Sequence, residues 1–164
     1  EFEMMDALFK RIGVEDWTVD VPCVTGNLKD NPVFQVRPDV AGRYLNYGFG
    51  GGLHGGGEGY ACGLHLLSIL ADGKASKCAF YADEPAGYIS EGLRICWSKI
   101  RPVRLEELEC SKLSCRFIDA CRGGCRYRAE ITPGIKINAH KRDIYKCYSY
   151  GIMESSGHEA RDKP

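Results

Sequence analysis

No stretch of this chain carries the run of about 18 apolar residues that a membrane-spanning helix needs. Net charge is missing too. The 22 Lys and Arg balance 22 Asp and Glu, which removes any global pull toward nucleic acid or an anionic bilayer. The opening residues, EFEMMDALFK, lack the basic start and apolar run of a secretory leader. There is no Gly-x-Ser-x-Gly elbow, no His-Glu-x-x-His helix and no Gly-Lys-Ser/Thr ending to a glycine loop. Serine-hydrolase, zinc-protease and phosphate-loop chemistry therefore find no support. Histidine is sparse, and none of His54, His65, His140 or His158 stands at zinc-finger spacing from a cysteine.

Cysteine is what the chain has in excess: 9 in 164 residues. Cys110, Cys115, Cys121 and Cys125 fall in one short stretch, CSKLSCRFIDACRGGC, with Cys62 and Cys78 upstream and Cys147 downstream. An odd count without a leader argues against a secreted disulfide scaffold and for a reducing, cytoplasmic setting. There, clustered thiols are metal ligands or catalytic groups more often than covalent links. Cys23 and Cys96 read as small buried hydrophobes. Apolar residues make up 44% of the chain, enough for a core, and its length has room for one ordinary domain or two small ones.

Thiolates are soft ligands that suit zinc and iron–sulfur groups. The gaps within the cluster are wider and less regular than the paired cysteines of a zinc knuckle, which favours iron–sulfur ligation. In Cys121–Arg122–Gly123–Gly124–Cys125, the glycines are expected to clear space for an inorganic cluster and to turn amide N–H groups toward it. The basic stretch 122–146 is expected to offset a dianionic cluster. Its interleaved Tyr127, Tyr145, Tyr148 and Tyr150 keep single-stranded nucleic acid as a weaker reading.

Local patterns place the elements. Residues 3–12 put Met4, Leu8, Phe9 and Ile12 on one helical face, and 17–22 alternate like a strand. Residues 38–48 read as a helix stopped by Gly48, followed by a glycine-rich linker over 49–59. HLLSIL and ASKCAF flank the turn signal Asp72–Gly73 and predict a β-hairpin. Residues 90–99 predict a helix capped by Ser90, with Cys96 in the core. The expected fold is α+β: a small irregular cysteine-rich domain with a β-hairpin and short helices, preceded by an α/β fragment.

The run LLSILADGKASKC, then AGYISEGLRICW, CRFIDACRGGC and RDIYKC, with Cys62 and Cys78 separated around Gly73, resembles a SPASM domain. That is the C-terminal auxiliary iron–sulfur region of radical S-adenosylmethionine enzymes. The resemblance covers about residues 60–148. It implies that residues 1–48 are the terminal part of a partial barrel, 60–150 the auxiliary-cluster domain and 151–164 a polar tail. By the same resemblance, Cys62, Cys78 and Cys125 hold a first auxiliary [4Fe–4S] cluster, and Cys110, Cys115, Cys121 and Cys147 hold a second. The fourth position of the first cluster stays open between an unligated iron, substrate, His54, Glu58 and Cys23, because Gly56 stands where some relatives carry a cysteine. The gap between Cys110 and Cys115 is also wider than the family's.

The resemblance further implies a parent enzyme that generates a 5′-deoxyadenosyl radical and modifies a peptide or protein side chain, with the rest of the barrel as partner. S-adenosylmethionine belongs only to that full-length parent. This chain has no Cys-x-x-x-Cys-x-x-Cys and is expected to be inactive alone. Gly56–Gly57–Glu58 reads as linker rather than as the methionine-gripping segment of such enzymes. The competing reading is a zinc-binding structural or interaction module without a redox role, and aerobically prepared protein is expected to be able to carry zinc.

Overall fold

The computed structural model describes residues 1–49, 57–131 and 141–153. The elements, in order, are α1 (Phe2–Arg11), β1 (Trp17–Thr18), α2 (Asn27–Asp30), α3 (Pro38–Tyr44), β2 (Gly48–Phe49), β3 (Tyr60–Cys62), β4 (Ser68–Ile69), β5 (Lys74–Ser76), β6 (Gly87–Tyr88), α4 (Leu93–Lys99), β7 (Val103–Arg104), α5 (Glu109–Lys112), α6 (Ile118–Cys121), α7 (Arg126–Ile131) and α8 (Ile144–Ser149). The fold is α+β, with short helices and small antiparallel sheets, and no closed barrel occurs among the described residues.

The chain divides into two compact units, one of residues 1–21, 36–52 and 144–164, the other of 22–35 and 53–143. This differs from the expected division into 1–48, 49–59, 60–150 and 151–164. Two segments cross those boundaries for packing reasons. Residues 22–35 enter the second unit because Cys23 is buried with Tyr81 and Tyr127. Helix α8 enters the first because Tyr145 packs on the Val21, Ala41 and Leu45 core.

In the first unit, α1 is held by aromatic rings. Phe9 meets Trp17 edge-on at 5.1 Å, and Phe2 stacks on Tyr47 at 5.5 Å. Of the face predicted from the sequence, Phe9 packs while Met4 is 75% and Ile12 62% exposed. The strand expected over 17–22 contracts to β1, which pairs antiparallel with β2 in the register Trp17↔Phe49 and Thr18↔Gly48. Gly48 is required there, since its φ is +116° and an added Cβ would lie 2.5 Å from the Trp17 carbonyl oxygen. Helix α3 stops at Tyr44 rather than 48.

In the second unit, the predicted hairpin forms. Strands β4 and β5 pair as Ser68↔Ser76 and Ile69↔Ala75, and Gly73 turns the chain at φ +78°. Strand β6 adds a third member beside β5. Helix α4 begins at Leu93 with Gly92, not Ser90, at its N-cap. Ser90 lies in a preceding 3-10 turn, where Glu91 instead accepts the Tyr88 N–H at 2.8 Å. Cys96 is fully buried, as expected, and its thiol donates to the Tyr88 carbonyl at 3.2 Å. Strands β3 and β7 pair antiparallel and carry Ala61 and Val103 into a core with Leu108 and Cys110.

Candidate metal centre

The Cys121–Cys125 loop is built from consecutive left-handed residues: Arg122 at φ 51°, Gly123 at 75° and Gly124 at 68°. Together they end α6 and redirect the chain into α7. A non-glycine residue in this region is uncommon and costs about 1–2 kcal/mol. The Arg122 side chain offsets that cost. Its guanidinium donates to the Tyr60 carbonyl through Nε at 3.0 Å and through Nη2, and to the Gly57 carbonyl at 2.5 Å. The loop is thereby tied to β3, which ends at Cys62.

The two glycines are required by packing inside the protein. A Cβ on Gly123 would lie 2.6 Å from Leu108 Cδ1, and one on Gly124 would lie 2.5 Å from Asp143 Oδ2. The loop amides likewise have protein acceptors. Gly124 N–H donates to the Cys121 carbonyl at 2.9 Å, and Cys125 N–H donates to Asp143 Oδ2 at 2.8 Å. Asp143 is 2% exposed and also accepts from Arg128 Nε at 3.1 Å and Nη2 at 3.0 Å. This buried carboxylate, which sequence reasoning did not single out, fixes the backbone of Cys125. Its signal was weak: one acid in a basic stretch.

Cys78 and Cys125 pack against one core in the second unit, and Cys62 lies within electrostatic reach of Cys78. Each arrives from a different segment: the end of β3, the exit of the hairpin, and the glycine loop. The three are close enough for the charges on Cys62 and Cys125 to disfavour a thiolate at Cys78, although burial is the largest cause of its raised pKa. Cys125 moves the other way, down to about 7 from an ordinary 9.0. The main cause is a hydrogen bond donated by the Cys23 thiol; burial opposes it and Arg128 reinforces it. Cys23 is 5% exposed and shares a core with Tyr81 and Tyr127, against which Cys78, Phe80 and Cys125 pack. Its reading as a buried hydrophobe therefore captures its burial and misses its partner. The wall beside these sulfurs is aromatic. Tyr127 meets Tyr81 edge-on at 5.1 Å and stacks on Phe80 at 5.8 Å, while the Tyr81 hydroxyl donates to Glu130 at 2.8 Å. Burial, then that carboxylate, raises the Tyr81 pKa far above its usual range.

The second expected set is placed differently. Cys110 in α5 and Cys115 just beyond it share one core with Leu108 and Ile118, and the Cys115 N–H donates to the Cys110 carbonyl at 2.9 Å. Burial raises the Cys110 pKa, while Arg126 opposes the rise. Cys121 closes α6 in the same unit. Cys147, on α8, belongs to the first unit and is buried there. Of the other candidates, Glu58 and His65 are exposed. His54, His140 and His158 lie outside the described residues.

All nine cysteines are free thiols. Much of the basic stretch works inside the protein: Arg128 pairs with Asp143, Arg126 donates to the Lys141 carbonyl at 2.8 Å, and Lys141 and Arg142 meet Glu109 at 3.4 and 3.5 Å. Among the described residues, no group of three or more Cys, His, Asp or Glu side chains is arranged to hold a single metal ion. A tetrahedral zinc with bonds of about 2.3 Å draws its sulfurs to within about 3.8 Å of one another. A cubane spreads them further, because each thiolate binds a different iron. The donor set around Cys125 is all sulfur, soft, half-buried to buried and flanked by a guanidinium, which fits a thiolate-bound iron–sulfur group. No family model, curated protein or solved structure matches the chain.

Proposed function

We propose that this chain is the auxiliary [4Fe–4S]-binding C-terminal region of a radical S-adenosylmethionine enzyme that modifies a peptide or protein. The observation that carries the reading is that Cys78 and Cys125, far apart in sequence, pack as free thiols against one core, with Cys62 within electrostatic reach of Cys78. When bound, such a group takes up or passes on an electron.

The chain's own residues do the rest. Cys62, Cys78 and Cys125 supply the first set of thiolates, and Cys110, Cys115 and Cys121 belong to the second. Arg122 holds β3 to the glycine loop, so two ligand-bearing segments keep their spacing. Asp143 orients the Cys125 backbone and keeps Arg128 beside its sulfur, where the cation favours thiolate over thiol. Tyr81, Tyr127 and Phe80 limit water at the sulfurs. A partly buried, cation-flanked sulfur site tunes reduction potential through burial and charge.

The test is anaerobic reconstitution with ferrous iron and sulfide. About eight irons and eight sulfides per chain are expected for two clusters, with a broad visible band that bleaches on reduction. A colourless protein that binds zinc without sulfide would instead support the structural zinc module. The chain alone is expected to release no 5′-deoxyadenosine from S-adenosylmethionine with dithionite, since it lacks Cys-x-x-x-Cys-x-x-Cys.

A further inference from the structure

Resting on that reading, we infer that Cys23 is the fourth thiolate of the first site. Cys23, Cys62, Cys78 and Cys125 would then form a closed four-sulfur set that serves electron relay and leaves no iron open to substrate.

The placement of Cys23 carries the inference. It lies directly after Pro22, where the chain passes from the first unit into the second. The segment it opens contributes one buried side chain to the core of Tyr81 and Tyr127, and that side chain is Cys23. Cys78 and Cys125 both pack against the core that Cys23 helps to form. Three cysteines from three separate segments therefore meet at one core, and Cys62 lies within electrostatic reach of Cys78. An apolar residue would fill the position behind Tyr81 as well as a thiol does. A thiol there adds a soft donor beside Cys78 and Cys125.

Glu58 is exposed and offers hard oxygen. Substrate ligation needs a vacant corner, which a fourth protein sulfur removes. On ligation each thiol gives its proton to solvent and forms one sulfur–iron bond, so four protons leave as four thiolates bind. Thiolate binding itself changes no oxidation state; a [4Fe–4S]²⁺ core assembled from four ferrous ions and four sulfides gives up two electrons, which a ferric salt in the reconstitution mixture accepts. Closed ligation is the arrangement of structural or relay sites, while open positions mark substrate-binding ones.

The experiment compares the full chain with Cys23→Ser and Cys96→Ser after anaerobic reconstitution, reading iron, sulfide and the electron paramagnetic resonance of the reduced protein. Cys23→Ser is expected to hold about four fewer irons than wild type, or to show an altered signal for one cluster. Cys96→Ser, which changes a buried cysteine bonded to Tyr88, is expected to match wild type. Equal iron and an identical spectrum in Cys23→Ser would overturn the inference while leaving the cluster-binding reading intact. A wild type that takes up no iron would instead sink that reading. Where Cys23→Ser fails to fold by circular dichroism, wild-type protein carries the test. The ratio of alkylation rates, Cys23 over Cys96, is expected to fall at least about tenfold on loading and to recover when iron is chelated, beyond any general slowing shared by both. An unchanged ratio would overturn the assignment.

Discussion

Replacing Asp143 by alanine tests how the candidate site is held. Its carboxylate is 2% exposed and accepts from the Cys125 amide and from Arg128 Nε and Nη2, Arg128 itself being 4% exposed. Removal takes the carboxylate away from a buried guanidinium, and breaking a buried ion pair costs about 3–5 kcal/mol. It also orphans a half-buried amide, worth about 1–3 kcal/mol, though the two losses overlap. About 4 kcal/mol is the working figure for the metal-free protein, a large part of a typical 5–15 kcal/mol. With a urea slope of about 2 kcal/mol/M, the unfolding midpoint falls by about 2 M. Asp143→Asn keeps an acceptor but not the charge, and belongs in between. The pair Arg128→Met with Asp143→Leu removes both charges and leaves chiefly the Cys125 amide unpaired, so it is expected to cost about 1–3 kcal/mol, less than the single Asp143→Ala. Urea titration followed by circular dichroism, with hydrogen exchange in the α7 peptide, supplies the numbers. A midpoint shift below about 0.5 M for Asp143→Ala, or a double variant costing the sum of its singles, would refute the reasoning.

Three other outcomes are expected. Gly124→Ala combines φ +68° with a Cβ 2.5 Å from Asp143, so thermal melting should show a larger loss than Gly13→Ala, where φ is +79° but nothing lies within 4 Å; equal losses would mean that strain alone, about 1–2 kcal/mol, sets the cost. Arg122→Lys cannot reproduce the planar fork onto the Tyr60 and Gly57 carbonyls, and amide exchange across β3 should speed up about tenfold; protection equal to wild type would remove Arg122 as the tie. In metal-free protein the alkylation of Cys125 should titrate with a midpoint of about 7 rather than 9.0, and Cys23→Ala should move it upward. Because the folded pKa is depressed, the associated stability is fully present above 9.0 and is lost as pH falls through about 7; a midpoint that Cys23→Ala leaves in place would contradict the hydrogen bond.

Much of the local architecture was legible because its causes act over a few residues. Asp72–Gly73 specifies a tight turn wherever it stands between short apolar runs, and the hairpin formed there. The pattern of residues 3–12 specifies a helix, and α1 runs over Phe2–Arg11. What that pattern did not convey is which face is covered. Met4 and Ile12 stay exposed while Phe2 and Phe9 do the packing, because the rings of Tyr47 and Trp17 come from elsewhere in the chain. Ser90 had cap chemistry, yet Glu91 reached the Tyr88 amide first and moved the helix start to Leu93.

The sequence by itself determined the α+β character, the abundance of soft sulfur and the tight turns, since composition, periodicity and glycine backbone freedom are properties of short segments. Tertiary structure alone decided that Cys23 joins Cys125, that Asp143 holds the glycine loop, and that Gly123 and Gly124 make room for protein side chains. It also decided that Cys147 packs in the first unit while Cys110 and Cys115 lie in the second. These outcomes depend on which distant surfaces fit when buried together, and no local preference encodes that fit.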